Sequence, residues 1–189
     1  MIGRVIIGAA LIAAVSTLGD FVWAGLHLEH RKAYGLAHGG LLFLCIGAYL
    51  GAIEGRTGKG ALSGALIGVA AAGMFYLLAP FAGYSIMFVV WVFIWLALAV
   101  LAGRSVRTSR RGSWRGTIGR GAVAMIGSGL GFYAISGIWR PFDPQGWDYA
   151  THWVSWTVAY LPAFLALLFH PQLFPLVDLT PFSRTGRNA

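Results

Sequence analysis

Apolar residues run in six long blocks along this chain, at 5–26, 36–53, 61–81, 84–102, 121–139 and 149–169. Each block is near the roughly 20 residues that an α-helix needs to cross a bilayer. The pattern therefore predicts an all-α polytopic membrane bundle of six transmembrane helices in a single domain, arranged as three hairpins. Polar interruptions separate the blocks. The first is His27 to Lys32, read as a solvated turn, and the second is EGRTGKG (54–60). Only Ala82-Gly83 divides the third block from the fourth. A basic stretch from Arg104 to Arg120 follows, and RPFDPQGWD (140–148) precedes the last block. The segment 170–189 carries three prolines and a polar ending, which argues for a tail rather than a seventh span.

Small residues recur inside the blocks at four-residue spacing. Gly60, Gly64, Gly68 and Ala72 form one series, Gly47, Gly51 and Gly55 a second, and Gly127 with Gly131 a third. That spacing places small side chains on one stripe of a helix, where neighbouring backbones can approach closely. Pro162 interrupts the backbone ladder of the sixth block and frees the carbonyl of Val158, and Pro80 does the same for Tyr76. A parallel hairpin repeat is also suggested. GALIGVAAAGMFY (64–76) aligns on GAVAMIGSGLGFY (121–133), and YSIMFVVW (84–91) on YATHWVSW (149–156).

Composition agrees with lipid as the solvent. The 189 residues are 58% hydrophobic and 11% charged, with a mean hydropathy of +0.72, whereas soluble domains are about 25% charged. The net charge of +8 would suggest nucleic acid in a soluble protein. Here it reads as topology, because the basic residues sort by side. Arg4, Arg56, Lys59, Arg104, Arg107, Arg110, Arg111, Arg115, Arg120, Arg184 and Arg187 fall on the side of the termini, against Arg31, Lys32 and Arg140 on the other. The positive-inside rule then places both termini in the cytoplasm of a bacterial-type inner (plasma) membrane. The first block also resembles a secretory leader, but its apolar character continues through Trp23 and Leu26, which favours an uncleaved helix. Cys45, the lone cysteine, lies in an apolar run and reads as a small apolar side chain.

Candidate chemistry concentrates at the outer ends of the blocks. Asp20, Trp23 and His27 share one helix face through spacings of three and four. His38 enters the second block from the same side, and Asp148 and His152 open the sixth. Trp156 is placed as a wall beside them. Charged groups at membrane depth are costly and usually face a bundle interior. The cluster supports three readings. Interfacial anchors and caps would account for Asp148 and the tryptophans. A metal or haem site would use His27, His30, His38 and His152 with Asp20, in a redox subunit. A pocket for a proton or a proton-coupled small ligand would use Asp20 with titrating histidines, in binding or transport. A non-catalytic scaffold subunit, in a homo-oligomer or larger membrane complex, is the alternative that needs no site. Signatures for serine or cysteine nucleophiles, glycosidase carboxylate pairs and dinucleotide binding are absent from the sequence.

Overall fold

The protein is described by a computed structural model covering residues 2–109, 114–138 and 148–168. Six α-helices make up the described residues, joined by one short 3-10 turn, with no strand among them. They are α1 (Ile2–Gly25), α2 (Leu28–Ile53), α3 (Thr57–Ala82), α4 (Ile86–Ser109), α5 (Trp114–Ile138) and α6 (Asp148–Leu168). Four of the helices are long and apolar enough to cross a membrane: α1, α2 over His30–Ile53, α3, and α6 over Tyr149–Leu168. The apolar part of α4 is shorter, Ile86–Ala102. α5 carries Arg115 and Arg120 in its first turns and is rich in glycine.

Helix extends into two of the expected interruptions. His30, Arg31 and Lys32 lie in the first turns of α2 rather than in a turn between helices. Their neighbours explain why, since Glu, Arg, Lys and Ala all propagate a helix well once an apolar segment nucleates it. Arg31 also folds back, donating Nε–H to the Leu26 carbonyl at 3.1 Å with its guanidinium 4.3 Å from the Trp23 ring centre. The basic stretch from Arg104 to Arg120 is likewise entered by α4 from one side and α5 from the other. The expected tail at 170–189 lies outside the described residues.

Each helix packs on its chain neighbours, and α6 returns to pack on α1, closing a ring. The tightest pair is α2 with α3, and glycine is the reason. A Cβ on Gly47 would lie 2.9 Å from the Gly64 Cα, and one on Gly60 would lie 2.9 Å from the Gly51 Cα. Gly64 and Gly68 meet the backbone of Phe43 and Gly39 in the same way. With lipid on the outside there is no hydrophobic drive between helices, so this close backbone packing and its dispersion contacts hold the pair. Gly55 does not extend the stripe. It ends α2 at φ +71°, the left-handed geometry that glycine takes without strain. Gly127 and Gly131 serve α5, packing against Pro162 and Ala159 of α6.

Aromatic rings fill the middle. Trp95, Tyr160 and Phe164 are fully buried, and Trp91 and Trp156 nearly so. Tyr160 lies 5.4 Å from Trp156, 6.2 Å from both Trp91 and Trp95, and 6.4 Å from Phe164, ring centre to ring centre. The stripe Trp156–Tyr160–Phe164 on α6 is therefore packing, while Trp153 stays at the rim and donates to the Ala10 carbonyl at 2.8 Å. Outward-facing Leu11, Leu18, Leu66, Leu77 and Leu130 leave an apolar surface suited to lipid.

Candidate functional site

The antiparallel course of α1 against α2 and α6 decides which side chains meet. At one end, the Tyr49 hydroxyl of α2 donates to the Arg4 carbonyl, and its ring meets Phe164 of α6 at 5.7 Å. Glu54 at the end of α2 lies within electrostatic reach of Arg120 near the start of α5. The opposite end of α1 carries Gly19, Asp20 and Phe21, with the early turns of α2 and α6 on either side.

Asp20 is partly buried and faces α6. Its Oδ2 accepts the indole N–H of Trp156 at 2.7 Å. A carboxylate offers about four lone-pair sites, so one indole leaves Asp20 with capacity for a proton or a further donor. One turn along both helices, the Ser16 and Tyr160 hydroxyls pair at 2.8 Å, fully buried. Residues four apart on α1 thus match residues four apart on α6, making two stacked polar rungs between otherwise apolar helices.

Histidines approach this point from two sides. The His38 ring of α2 lies directly on the Gly19 backbone, where any Cβ would overlap it. Tyr34, one turn earlier, stacks parallel to His38 at 5.8 Å and donates its hydroxyl to the Gly19 carbonyl at 3.2 Å. On the other side, His152 of α6 meets the Phe21 ring edge-on at 5.3 Å, with Tyr149 5.6 Å from the same ring. Three consecutive residues of α1 therefore touch α2 through Gly19 and α6 through Asp20 and Phe21.

The remaining candidates lie elsewhere. His27 is exposed at the N-cap of α2 and makes no side-chain capping bond. His30 is exposed three residues later. Trp23 is 40% exposed and lies beneath Arg31. Asp148 is the first residue of α6, and its side chain lies outside the described residues. Among the described residues, no three His, Cys, Asp or Glu side chains lie close enough together to hold a metal ion. The proposed ligand set His27, His30, His38 and His152 is divided between the exposed start of α2, the α1–α2 contact and the α1–α6 contact.

Sequence reasoning did not single out Ser16 and Tyr160 as polar partners. Neither residue is among the candidates that the sequence pattern offers. The available signal was the matched i, i+4 spacing of Ser16/Asp20 and Trp156/Tyr160. Comparison of the chain with protein families, with curated proteins and with solved structures returns no match.

Proposed function

We propose that this chain is a six-span membrane protein that binds a proton, and with it a small ligand, at Asp20, in a binding or transport role. The observation that carries this reading is the Asp20–Trp156 hydrogen bond: a carboxylate set between two helices of a membrane bundle and oriented by an indole. Ionisable groups at such positions are rare and mark proton or substrate pathways. Trp156 of α6 holds that carboxylate, Tyr34 of α2 and Tyr160 of α6 lie within electrostatic reach of it, and His38 and His152 pack on its chain neighbours Gly19 and Phe21. Of the further groups expected at the site, His27 and Asp148 would stand at its mouth and Trp23 beside it.

In the same proposal α4 and α5 also cross the membrane, giving three hairpins. Both termini then lie in the cytoplasm of a bacterial-type inner membrane, with Asp20 toward the outer face. The distribution of basic residues supports this orientation. The pairing of Trp91 with Trp156, equivalent positions in the proposed hairpin repeat, at 6.1 Å is in keeping with that repeat.

The test is an infrared pH titration of the purified protein, following the C=O stretch of a protonated carboxyl group. A band that titrates in the wild type and vanishes in Asp20→Asn supports the reading. Identical titrations in the two proteins overturn it. The alternative is a scaffold role, in which outward leucines of α3 such as Leu66 (65% exposed) and Leu77 (70%) would meet other subunits in place of lipid. It would show as co-purification with other subunits at fixed stoichiometry, retained in Asp20→Asn.

A further inference from the structure

Arg31, near the start of α2, is held by three contacts and keeps most of its donors free. Its backbone carbonyl accepts the Tyr76 hydroxyl of α3 at 3.1 Å. Its Nε–H donates to the Leu26 carbonyl at 3.1 Å, and its guanidinium lies 4.3 Å from the Trp23 ring centre. A guanidinium carries five N–H donors, so the bond to Leu26 leaves four. None of these has a hydrogen-bond or ion-pair partner among the described residues. Glu29 is the nearest carboxylate in sequence, but helical side chains two residues apart do not face each other. An arginine ordinarily keeps its rotamer freedom until it binds something, and holding it then is costly. Arg31 is already braced.

The depth of Arg31 is set by the two helices it joins. The apolar span of α1 ends at Gly25 and that of α2 begins at His30. Residues at that junction therefore lie where hydrocarbon gives way to lipid headgroups. Trp23, 40% exposed, is of the type that concentrates at this level. His27, His30 and Lys32 are exposed alongside, and the charges of Arg31 and Lys32 outweigh that of Glu29. Leu18 and Val22, exposed and four residues apart, lead from Trp23 into the apolar part of α1.

We propose that Arg31, braced by Trp23 and Leu26, binds the phosphate of an anionic phospholipid at the α1–α2 end of the bundle. The site goes beyond the reading of Asp20 and does not rest on it. The two terminal nitrogens of a guanidinium present parallel N–H groups that match two phosphate oxygens, a geometry that an ammonium lacks. Lys32 adds charge at the same level. At headgroup depth the bilayer itself supplies the phosphate, tethered to acyl chains that can lie along Leu18 and Val22. A free phosphate would have to come from the water. A clasp that only joined α2 to the end of α1 would use the Nε–H and leave the rest of the fork without a role.

Photo-labelling tests the site. The full chain is reconstituted in phosphatidylcholine vesicles holding a trace of phosphatidylglycerol with a diazirine on its headgroup, irradiated, and mapped by peptide mass spectrometry. Label is expected within residues 23–32 of the wild type, and excess unlabelled phosphatidylglycerol should suppress it. Arg31→Gln should lower that label about tenfold, the loss expected for charge-assisted hydrogen bonds. Arg31→Lys, which keeps the charge and loses the fork, should stay several-fold below the wild type. Equal labelling of this segment in wild type and Arg31→Gln overturns the proposal, as does its absence from the wild type. Suppression by inorganic phosphate as effective as that by unlabelled lipid also overturns it, and would assign the fork to a free anion. Should Arg31→Gln fail to assemble, Trp23→Leu removes the ring beneath the guanidinium, keeps the charge, and decides by the same criterion. The infrared titration of Asp20 is a separate readout, so either reading can fail alone.

Discussion

Trp156 of α6 donates its indole N–H to Asp20 of α1 at 2.7 Å, across 136 residues of sequence. The bond joins the first helix to the last and so helps to close the ring. Apolar side chains cannot fix the register of two such helices by hydrophobic burial, because lipid is as apolar as they are. A polar rung can fix it, since sliding one helix along the other would leave a carboxylate and an indole without partners. The Ser16–Tyr160 rung repeats the constraint one turn away, and two rungs define both register and rotation.

Replacing Trp156 with Phe removes the donor and keeps most of the ring. Interhelical hydrogen bonds in membranes average about 0.6 kcal/mol, but a partly buried acceptor left without its donor costs about 1–3 kcal/mol. The second effect dominates, so Trp156→Phe is expected to destabilise the bundle by about 1–2 kcal/mol. Unfolding in detergent measures this. In a double-mutant cycle with Asp20→Ala the two losses should be less than additive, and strict additivity would show that the pair contributes no coupling.

The α2–α3 contact makes a sharper prediction. Any side chain at Gly64 would press on the Phe43 carbonyl, and one at Gly47 on the Gly60 carbonyl. Backbone cannot rotate away as a side chain can, so Gly64→Ala should separate the helices and cost about 1–3 kcal/mol, as overpacking does. Gly58, in the same helix, has nothing within 4 Å of an added Cβ. Gly58→Ala should therefore be neutral or stabilising by up to about 1 kcal/mol through helix propensity alone. Equal melting temperatures for the two variants would contradict the packing described here.

The glycine stripes were legible because four-residue spacing encodes one helix face whatever that face meets. Helix number was legible for a similar reason, apolar blocks of membrane length being hard to place otherwise. The ends of α2 and α4 were not, because helix continues past the apolar block wherever the polar residues are themselves good helix formers. The partner of Asp20 was harder still. His152, Trp156 and Tyr160 are spaced by four and share one stripe of α6, so spacing alone did not say which of them stands level with Asp20. Convergence of α1 with α6 near Asp20 could be expected from topology. Contact through an indole rather than an imidazole depended on the axial register of α6 against α1, which only packing reveals.

Gly19 connects α2 to the Asp20 site and allows the two to be separated. The His38 ring rests on the Gly19 backbone, and Tyr34 anchors to the Gly19 carbonyl at 3.2 Å. A methyl group at position 19 would overlap the imidazole, so Gly19→Ala must push His38 aside or move α2 from α1. The α1–α2 contact is looser than α2–α3, and its obstacle is a side chain rather than backbone. Accordingly, a ring displacement costing about 1 kcal/mol, the low end of overpacking, is expected instead of unfolding. The His38 ring resonances in NMR should shift, with those of Tyr34 moving in concert because the two rings stack. Gly25→Ala, with nothing within 4 Å of the added Cβ, is the matched control on α1 and should leave both sets unchanged. Unshifted His38 resonances in Gly19→Ala would mean that the imidazole does not occupy the space between α1 and α2.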